Sequence, residues 1–437
     1  MQNCKIVRIA GLHYLAPVIA LYGEYPELRS AAYLEQQELL FQNVYAYSNS
    51  FAKSMQALGY DAHEIIYDLE ILQKSWAREN GAEYTAKNWQ HAIVLSQIKM
   101  LKPEVIYFQD IASLPYAIIS NLKTIFPFIK LIIIFRGYPG NLNDIVIQTL
   151  SAADILLGGS PVVVEKCKRM GLNPYLLYHG FDESILGKLR VYGKKNHQPQ
   201  YDFSFVGSSG YGYGYGHHSR YWELLELIKH TDIELWLYEP TIKRPYLLRV
   251  DFNLRYLVAA FLNLFSIETL NRVSARNFIP SKIKNVINGI VKNKKKQLEN
   301  KAIKPPAAPI NKLFPTRCHA AVHGIDMYEI LRQSKVTYNR HSNAASGTVD
   351  NLRLFQATGV GTCLLTDTGV NLPDLFEPER EVVTYNSVAE CIEKVKYLLQ
   401  HENLRQQIAQ AGQRRTLRDH TILSRCQQID EIIQRMF

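Results

Sequence analysis

The residues of this 437-residue chain that could do chemistry recur at one kind of place, the end of a short apolar run. His13 follows "KIVRIAGL", Asp110 follows "EVIYFQ", Arg136 follows "KLIIIF" and Ser160 follows "ADILLGG". His179 follows "PYLLY", Gly207-Ser208 follows "YDFSFV", His341 follows "KVTYNR" and Asp367 follows "TCLLT". Carboxylates and imidazoles move protons, guanidiniums pair with phosphate, and a Gly-Ser turn can aim backbone N–H groups at an anion. The inventory suits proton transfer beside a bound anion. It does not suit metal or disulfide chemistry. There is no C-x-x-C pair, no D-x-D pair and no His cluster at ligand spacing, and the six cysteines (4, 167, 318, 363, 391, 426) are scattered. They read as reduced thiols, and neither a catalytic metal nor any other cofactor is expected.

The elements that must position these residues alternate. "FAKSMQALGY" places Phe51, Met55 and Leu58 on one helical face and stops at Gly59. "NWQHAIVLSQIKML" is a helix closed by Lys102-Pro103, because the residue before proline leaves the helical region. "PVVVEKCKRMG" begins with Pro and ends with Gly, as helices do. Near-continuous apolar strands between such helices predict a parallel sheet covered on both faces. A polar stretch at 191–200 predicts a linker, after which a second alternation starts, and Ser387 with Glu390 forms a capping-box pattern near its end. The expectation is an α/β protein of two Rossmann-like doubly wound domains facing a cleft. The first spans 1–190. The second spans 201–240 and 317–437, with its last helix packing back on the first. Ligands of such sheets bind at the carboxyl ends of strands, beside helix N-termini.

Residues 241–316 interrupt the second domain. They hold 15 Lys and Arg against Asp251, Glu268 and Glu299, a net of +12, so the whole-chain +10 leaves the remainder near −2. The composition, 47% hydrophobic and 21% charged, excludes a largely disordered chain. No stretch reaches the roughly 18 apolar residues of a membrane span. "KIVRIAGLHY" reads as a first buried strand and its loop rather than a signal peptide, since His13 and Pro17 interrupt the apolar run.

Several motifs carry a resemblance: "FVGSSG" followed by Arg220, "SKVTYNRH", "DNLRLFQATGVGTCLLTD", "NLPDLFEPEREVVTYNS" and "IAQAGQRRTLRDHT". On these the chain resembles glycosyltransferases of the GT-B fold, specifically the CgeB-like group. The resemblance implies a nucleotide-sugar donor on the C-terminal domain and an acceptor on the N-terminal one. The helix starting near Asp350-Asn351 would then offer its free N–H groups and positive dipole end to a diphosphate. Arg353 would add a charge-assisted contact, and Gly359 and Gly361 would let the chain turn tightly back into the sheet. Gly207, Ser208, Arg220 and His341 join Asn351 and Arg353 as donor-side candidates. Gln356 stands where the family usually has a Glu that holds ribose hydroxyls. An amide can still accept and donate there, without charge.

Asp110 is the candidate general base for an acceptor hydroxyl, with a helix-capping role as its structural alternative; His13 is the rival base. The expected function is sugar transfer to a glycan or lipid-linked acceptor in the making of surface polysaccharide or glycoconjugate. The alternative is a catalytically silent nucleotide- or sugar-binding protein. The 241–316 segment combines an apolar aromatic run with a lysine cluster, which suits an amphipathic element on an anionic bilayer. A cytoplasmic location, peripheral at the inner face of the membrane, follows from that reading. A nucleic-acid surface is not expected, because the aromatics are not interleaved with the lysines.

Overall fold

The computed structural model describes residues 3–436 apart from 13–14, 44–47, 138, 141, 193–197, 213–216, 239–264, 277–283, 285–286, 289, 292–305 and 307. Two six-stranded sheets carry the fold, and every pairing in them is parallel. The first contains β1 (Lys5–Ala10), β2 (Asp61–Ile66), β3 (Val105–Phe108), β4 (Leu131–Arg136), β5 (Ile155–Gly158) and β6 (Pro174–Leu176), in the order β2-β1-β3-β4-β5-β6. The second contains β7 (Tyr201–Gly207), β8 (Ile233–Leu237), β9 (Cys318–His319), β10 (Ser334–Asn339), β11 (Cys363–Asp367) and β12 (Val383–Tyr385), in the order β12-β11-β10-β7-β8-β9.

Both sheets are sandwiched by helices, which is why their strands are apolar on both faces. All four residues of β3 and all five of β11 are buried. In the first sheet Val7, Ile9, Ile106 and Ile132 face one core cluster, and Ile6, Val105, Tyr107 and Ile133 face the other. The helices end as their sequences demand. Lys102 closes the helix Trp89–Leu101 in the left-handed region at φ 51°, just before Pro103. The Ser387 hydroxyl accepts from the Glu390 N–H at 3.2 Å, and Glu390 turns back to the Asn386 N–H at 2.8 Å.

The chain crosses between the domains twice, side by side. Phe181 and Thr421 form a parallel bridge, and Gly180 lies so close to the Thr421 carbonyl that a Cβ would sit 2.8 Å from it. The helix Ser184–Tyr192 buries Ile185 and Leu189 in the C-terminal domain's core, so residues just before the linker expected at 191–200 already pack there. The helix Ile422–Met436 returns to the N-terminal domain, where Cys426, Ile429, Ile432 and Ile433 pack with Phe51 and Met55.

Strand β9 was not expected; two residues suffice to pair it with β8 at the sheet edge. Of the 241–316 segment, the run 256–264 and Lys282, Lys292, Lys294, Lys295 and Lys296 lie outside the described residues, as do 193–197 of the linker. Its described part includes the helix Ile267–Ser274 and a small cluster of Leu270, Ile287, Ile290 and Val291, packed on one another. Among the described residues no helix is long and apolar enough to cross a membrane.

Candidate functional site

In the second sheet the strand order reverses between β7 and β10, and a crevice opens outside their carboxyl ends, where open α/β sheets bind ligands. A cavity of about 420 Å³ occupies that place. Six of the seven expected donor-side residues line it: Gly207, Ser208, Arg220, Asn351, Arg353 and Gln356. Asn351 caps the helix Leu352–Gly359 by accepting from the Leu354 N–H at 3.2 Å, and its amide is paired with that of Asn339. Asn351, Leu352 and Arg353 at the start of that helix all line the cavity. Arg353 is fixed over the end of β7 by donating to the Val206 carbonyl at 2.9 Å.

Arg220 is the most informative side chain of this wall. It donates only to neutral oxygens, at Ser208 (3.4 Å to the carbonyl, 3.3 Å to Oγ) and at the Arg340 carbonyl (2.8 Å), and its Nε is buried without a hydrogen-bond partner. Among the described residues no carboxylate stands within ion-pair distance of it. Burial holds its pKa below the ordinary guanidinium value. A half-buried cation with no carboxylate at ion-pair distance is poorly compensated, and an anion in the cavity would improve that. Arg340 beside it is the opposite case, with Glu223 at 3.0 Å and Asp367 at 2.5 Å.

His341 does not join the cavity. It is 3% exposed, behind the wall, with its N–H and Nδ1 both on Asp367 Oδ1, at 3.0 and 2.8 Å. The pair with Asp367 uses only Nδ1, and the ring's Nε2 has no hydrogen-bond partner. Burial alone would raise the Asp367 pKa, but the bonds from His341 and the Arg340 charge hold it below the usual carboxylate value. Gly359 is also reassigned. The turn into β11 is made by Gly361, at φ 83°, while Gly359 makes room for the Phe181 ring, which would lie 2.5 Å from an added Cβ.

A second cavity, of about 230 Å³, lies between the domains, and His323, Met327, Leu352 and Gln356 border both cavities. Gln356 is oriented by a 3.3 Å bond from its Nε2 to the Tyr328 hydroxyl. His179 borders the second cavity; burial, then the Arg425 charge, pushes its pKa down to about 4, so the ring is neutral. His323 is likewise lowered by burial. Asp110 is absent from this wall. Its oxygens accept from the Gly11 N–H (3.2 Å), the Tyr67 hydroxyl (2.9 Å) and the Ala112 N–H (2.8 Å), so it fastens the loops after β1 and β3. His13 lies outside the described residues. Arg136 stays in the N-terminal domain, donating to the Gly140 carbonyl at 2.5 Å.

Sequence reasoning missed three features. Trp236 and Tyr238 line the cavity beside β7 and β10 as an aromatic wall; the period-two spacing at the end of "IELWLYE" was the available signal. Arg340 was hidden next to His341. The Asp350 carboxyl reaches toward Ser160 of the N-terminal domain, and burial raises its pKa to about 6 against the opposing pulls of His341 and the Ser160 hydroxyl. Among the described residues no group of three metal-ligating side chains gathers.

Residues 303–431 match the family model described as "Glycosyl transferase-like". No curated protein matches the chain by sequence. Among solved structures, the chain is similar to HepE of Anabaena in complex with UDP-glucose, at TM-score 0.54 and 10% identity over 99% of this chain and 100% of that one. It is also similar to sucrose-phosphate synthase of Thermosynechococcus elongatus, at TM-score 0.52 and 9% identity over 100% and 99%. At such identities the likeness establishes the fold alone.

Proposed function

We propose that this chain, a glycosyltransferase with the GT-B fold and a glycosyl transferase-like C-terminal part, moves a sugar from a nucleotide-sugar to an acceptor hydroxyl held between its domains. The observation that carries the reading is Arg220, a half-buried cation bonded only to neutral groups in the wall of the switch-point cavity. A nucleoside diphosphate supplies the missing charge. Its base has the Trp236 and Tyr238 side of the cavity to lie against, and its phosphates have Arg353 and the helix capped by Asn351. HepE, the similar structure, holds UDP-glucose, which makes UDP-sugars the first donors to try.

In the transfer the acceptor oxygen bonds to the anomeric carbon while the bond from that carbon to the phosphate oxygen breaks. The diphosphate leaves with the electron pair, and the acceptor proton passes to a base. Arg220, Arg353 and the helix N-terminus meet the charge that grows on the leaving group. The neutral His179 imidazole beside the second cavity can accept a proton, but its lowered pKa makes it a weak base, and His13 is its rival.

Thermal shift with UDP, GDP, CMP and dTDP tests the reading. Ligand at a hundred times its dissociation constant stabilises by about 2.7 kcal/mol. No shift with any of them would overturn it. A catalytically silent binding protein is the second reading, favoured by the uncharged Gln356 on Tyr328. It requires a nucleotide shift with no transfer and no donor hydrolysis. A lipid-linked acceptor and docking of the basic 241–316 segment on an anionic bilayer are the finer parts of the proposal. Sedimentation with anionic but not neutral liposomes, weakened by salt, supports them. Equal failure with both removes them.

A further inference from the structure

The second cavity has a wall that does not suit a sugar. Leu12, Phe51, Phe135, Leu177 and Ile429, each at most 5% exposed, supply its apolar side from the N-terminal domain and the returning last helix. The charged side chains that border it bond within the protein. Arg8 holds Glu64 and the Ser48 carbonyl, both at 2.6 Å. Asp182 accepts from the Ser48 hydroxyl at 2.6 Å and the Ser184 N–H at 3.0 Å. Arg425 donates to the His179 carbonyl at 3.0 Å and stands 2.9 Å from His420 Nδ1. A saccharide placed against that apolar side would bury hydroxyls against carbon, and each unsatisfied polar group costs about 1–3 kcal/mol; the polar lining, Gln109, Tyr328 and Gln356 among it, is left for the hydroxyl-bearing end.

The cavity is nevertheless continuous in its lining with the donor side. His323, Met327, Leu352 and Gln356 border both, so the two cavities share a wall. Its size is also informative. An apolar cavity of about 150 Å³ holds a benzene ring, and this one measures about 230 Å³.

We infer that the acceptor hydroxyl is carried by an apolar body, aromatic or short-chain alkyl, that fills this cavity. The inference rests on the transferase reading and adds the acceptor's chemical class. The hydroxyl lies at the polar end, near Gln356 and His323, and the apolar body lies among Phe51, Leu177 and Ile429. Oligosaccharide beyond the apolar body, where present, projects out of the cleft.

Equilibrium binding of three probes to the full chain tests this: 4-methylumbelliferone, n-octyl β-glucoside below its micelle concentration, and methyl β-glucoside. The first or the second binds saturably, at least tenfold tighter than methyl glucoside. Ile429→Trp fills the cavity and weakens that binding at least tenfold, with nucleotide stabilisation retained. Leu177→Phe, a smaller increase in volume, replaces it if the Trp variant does not fold. Methyl glucoside binding as tightly as the apolar probes overturns the inference, as does apolar binding that both variants leave intact. Nucleotide stabilisation with no apolar binding overturns it while the donor reading stands. Apolar binding that the variants abolish, without nucleotide stabilisation, supports the cavity and overturns the donor reading instead.

Discussion

Asp350 offers a test in which structure fixes both sign and size. The residue precedes the cap Asn351, is partly buried at the domain junction, and has a pKa raised from 3.8 to about 6, chiefly by burial. The folded protein therefore binds a proton that the unfolded chain releases between about pH 4 and 6. Stability is greatest below the lower value, falls as pH rises through this window, and is level above it. At 1.36 kcal/mol for each tenfold change in proton affinity, the ionised carboxyl costs roughly 3 kcal/mol at neutral pH. Asp350→Asn keeps an oxygen for the Ser160 hydroxyl and removes the charge. The variant should be more stable by up to about 3 kcal/mol above pH 6.5, and the advantage should vanish below pH 4. Urea melts of both proteins at pH 4 to 8 measure this, since the midpoint moves with stability when the slope is unchanged. A variant no more stable than its parent at pH 7.5, or a gain independent of pH, would refute the reasoning. A carboxyl kept at such cost beside a candidate site is itself a functional signal.

Arg353→Ala should weaken nucleotide binding about ten- to a hundredfold, the worth of one charged hydrogen bond, in a folded protein; unchanged affinity in a titration removes Arg353 from the site. Gln356→Glu should keep or improve donor binding, because the Tyr328 hydroxyl 3.3 Å away can donate to a carboxylate, whereas Gln356→Leu should impair it. Equal donor affinity in the Leu variant would mean that residue 356 only packs. Gly359→Ala gains about 1 kcal/mol of helix propensity but drives a methyl onto the Phe181 ring at 2.5 Å, an overpacking cost near 3 kcal/mol. A net loss of about 2 kcal/mol is expected in denaturant melts, partly restored by Phe181→Leu. Asp110→Asn loosens the loops after β1 and β3, so the melting temperature should fall while nucleotide stabilisation survives; the opposite pattern, a stable protein with turnover reduced 10²-fold or more, would return Asp110 to the role of base.

Local sequence determined the two parallel sheets and most of their helices. A strand buried on both faces must be apolar at every position, and a helix must show its period and its ends, so β3, β11 and the helix after Ser387 were legible from neighbours a few residues apart. The gathering of these expected residues around one cavity was legible for a related reason. A strand end and the helix N-terminus after the next strand lie side by side once the sheet is parallel, which brings Gly207, Ser208, Asn351 and Arg353 together.

What tertiary structure decided were the partners. Asp110 became a loop fastener because Gly11 and Tyr67 arrive from other elements, and His341 turned inward because Asp367 stands beside it on the next strand. Gly359 is glycine for the sake of Phe181, and Arg353 is held by a carbonyl 147 residues away. The raised pKa of Asp350 comes chiefly from its burial, opposed by His341 and the Ser160 hydroxyl. The apolar cavity exists only because the last helix crosses back to the first domain. Periodicity records which face of an element is buried, but not against what. A side chain's role at a site depends on whether its hydrogen-bonding atoms are already used, and that is fixed by residues far away in the chain.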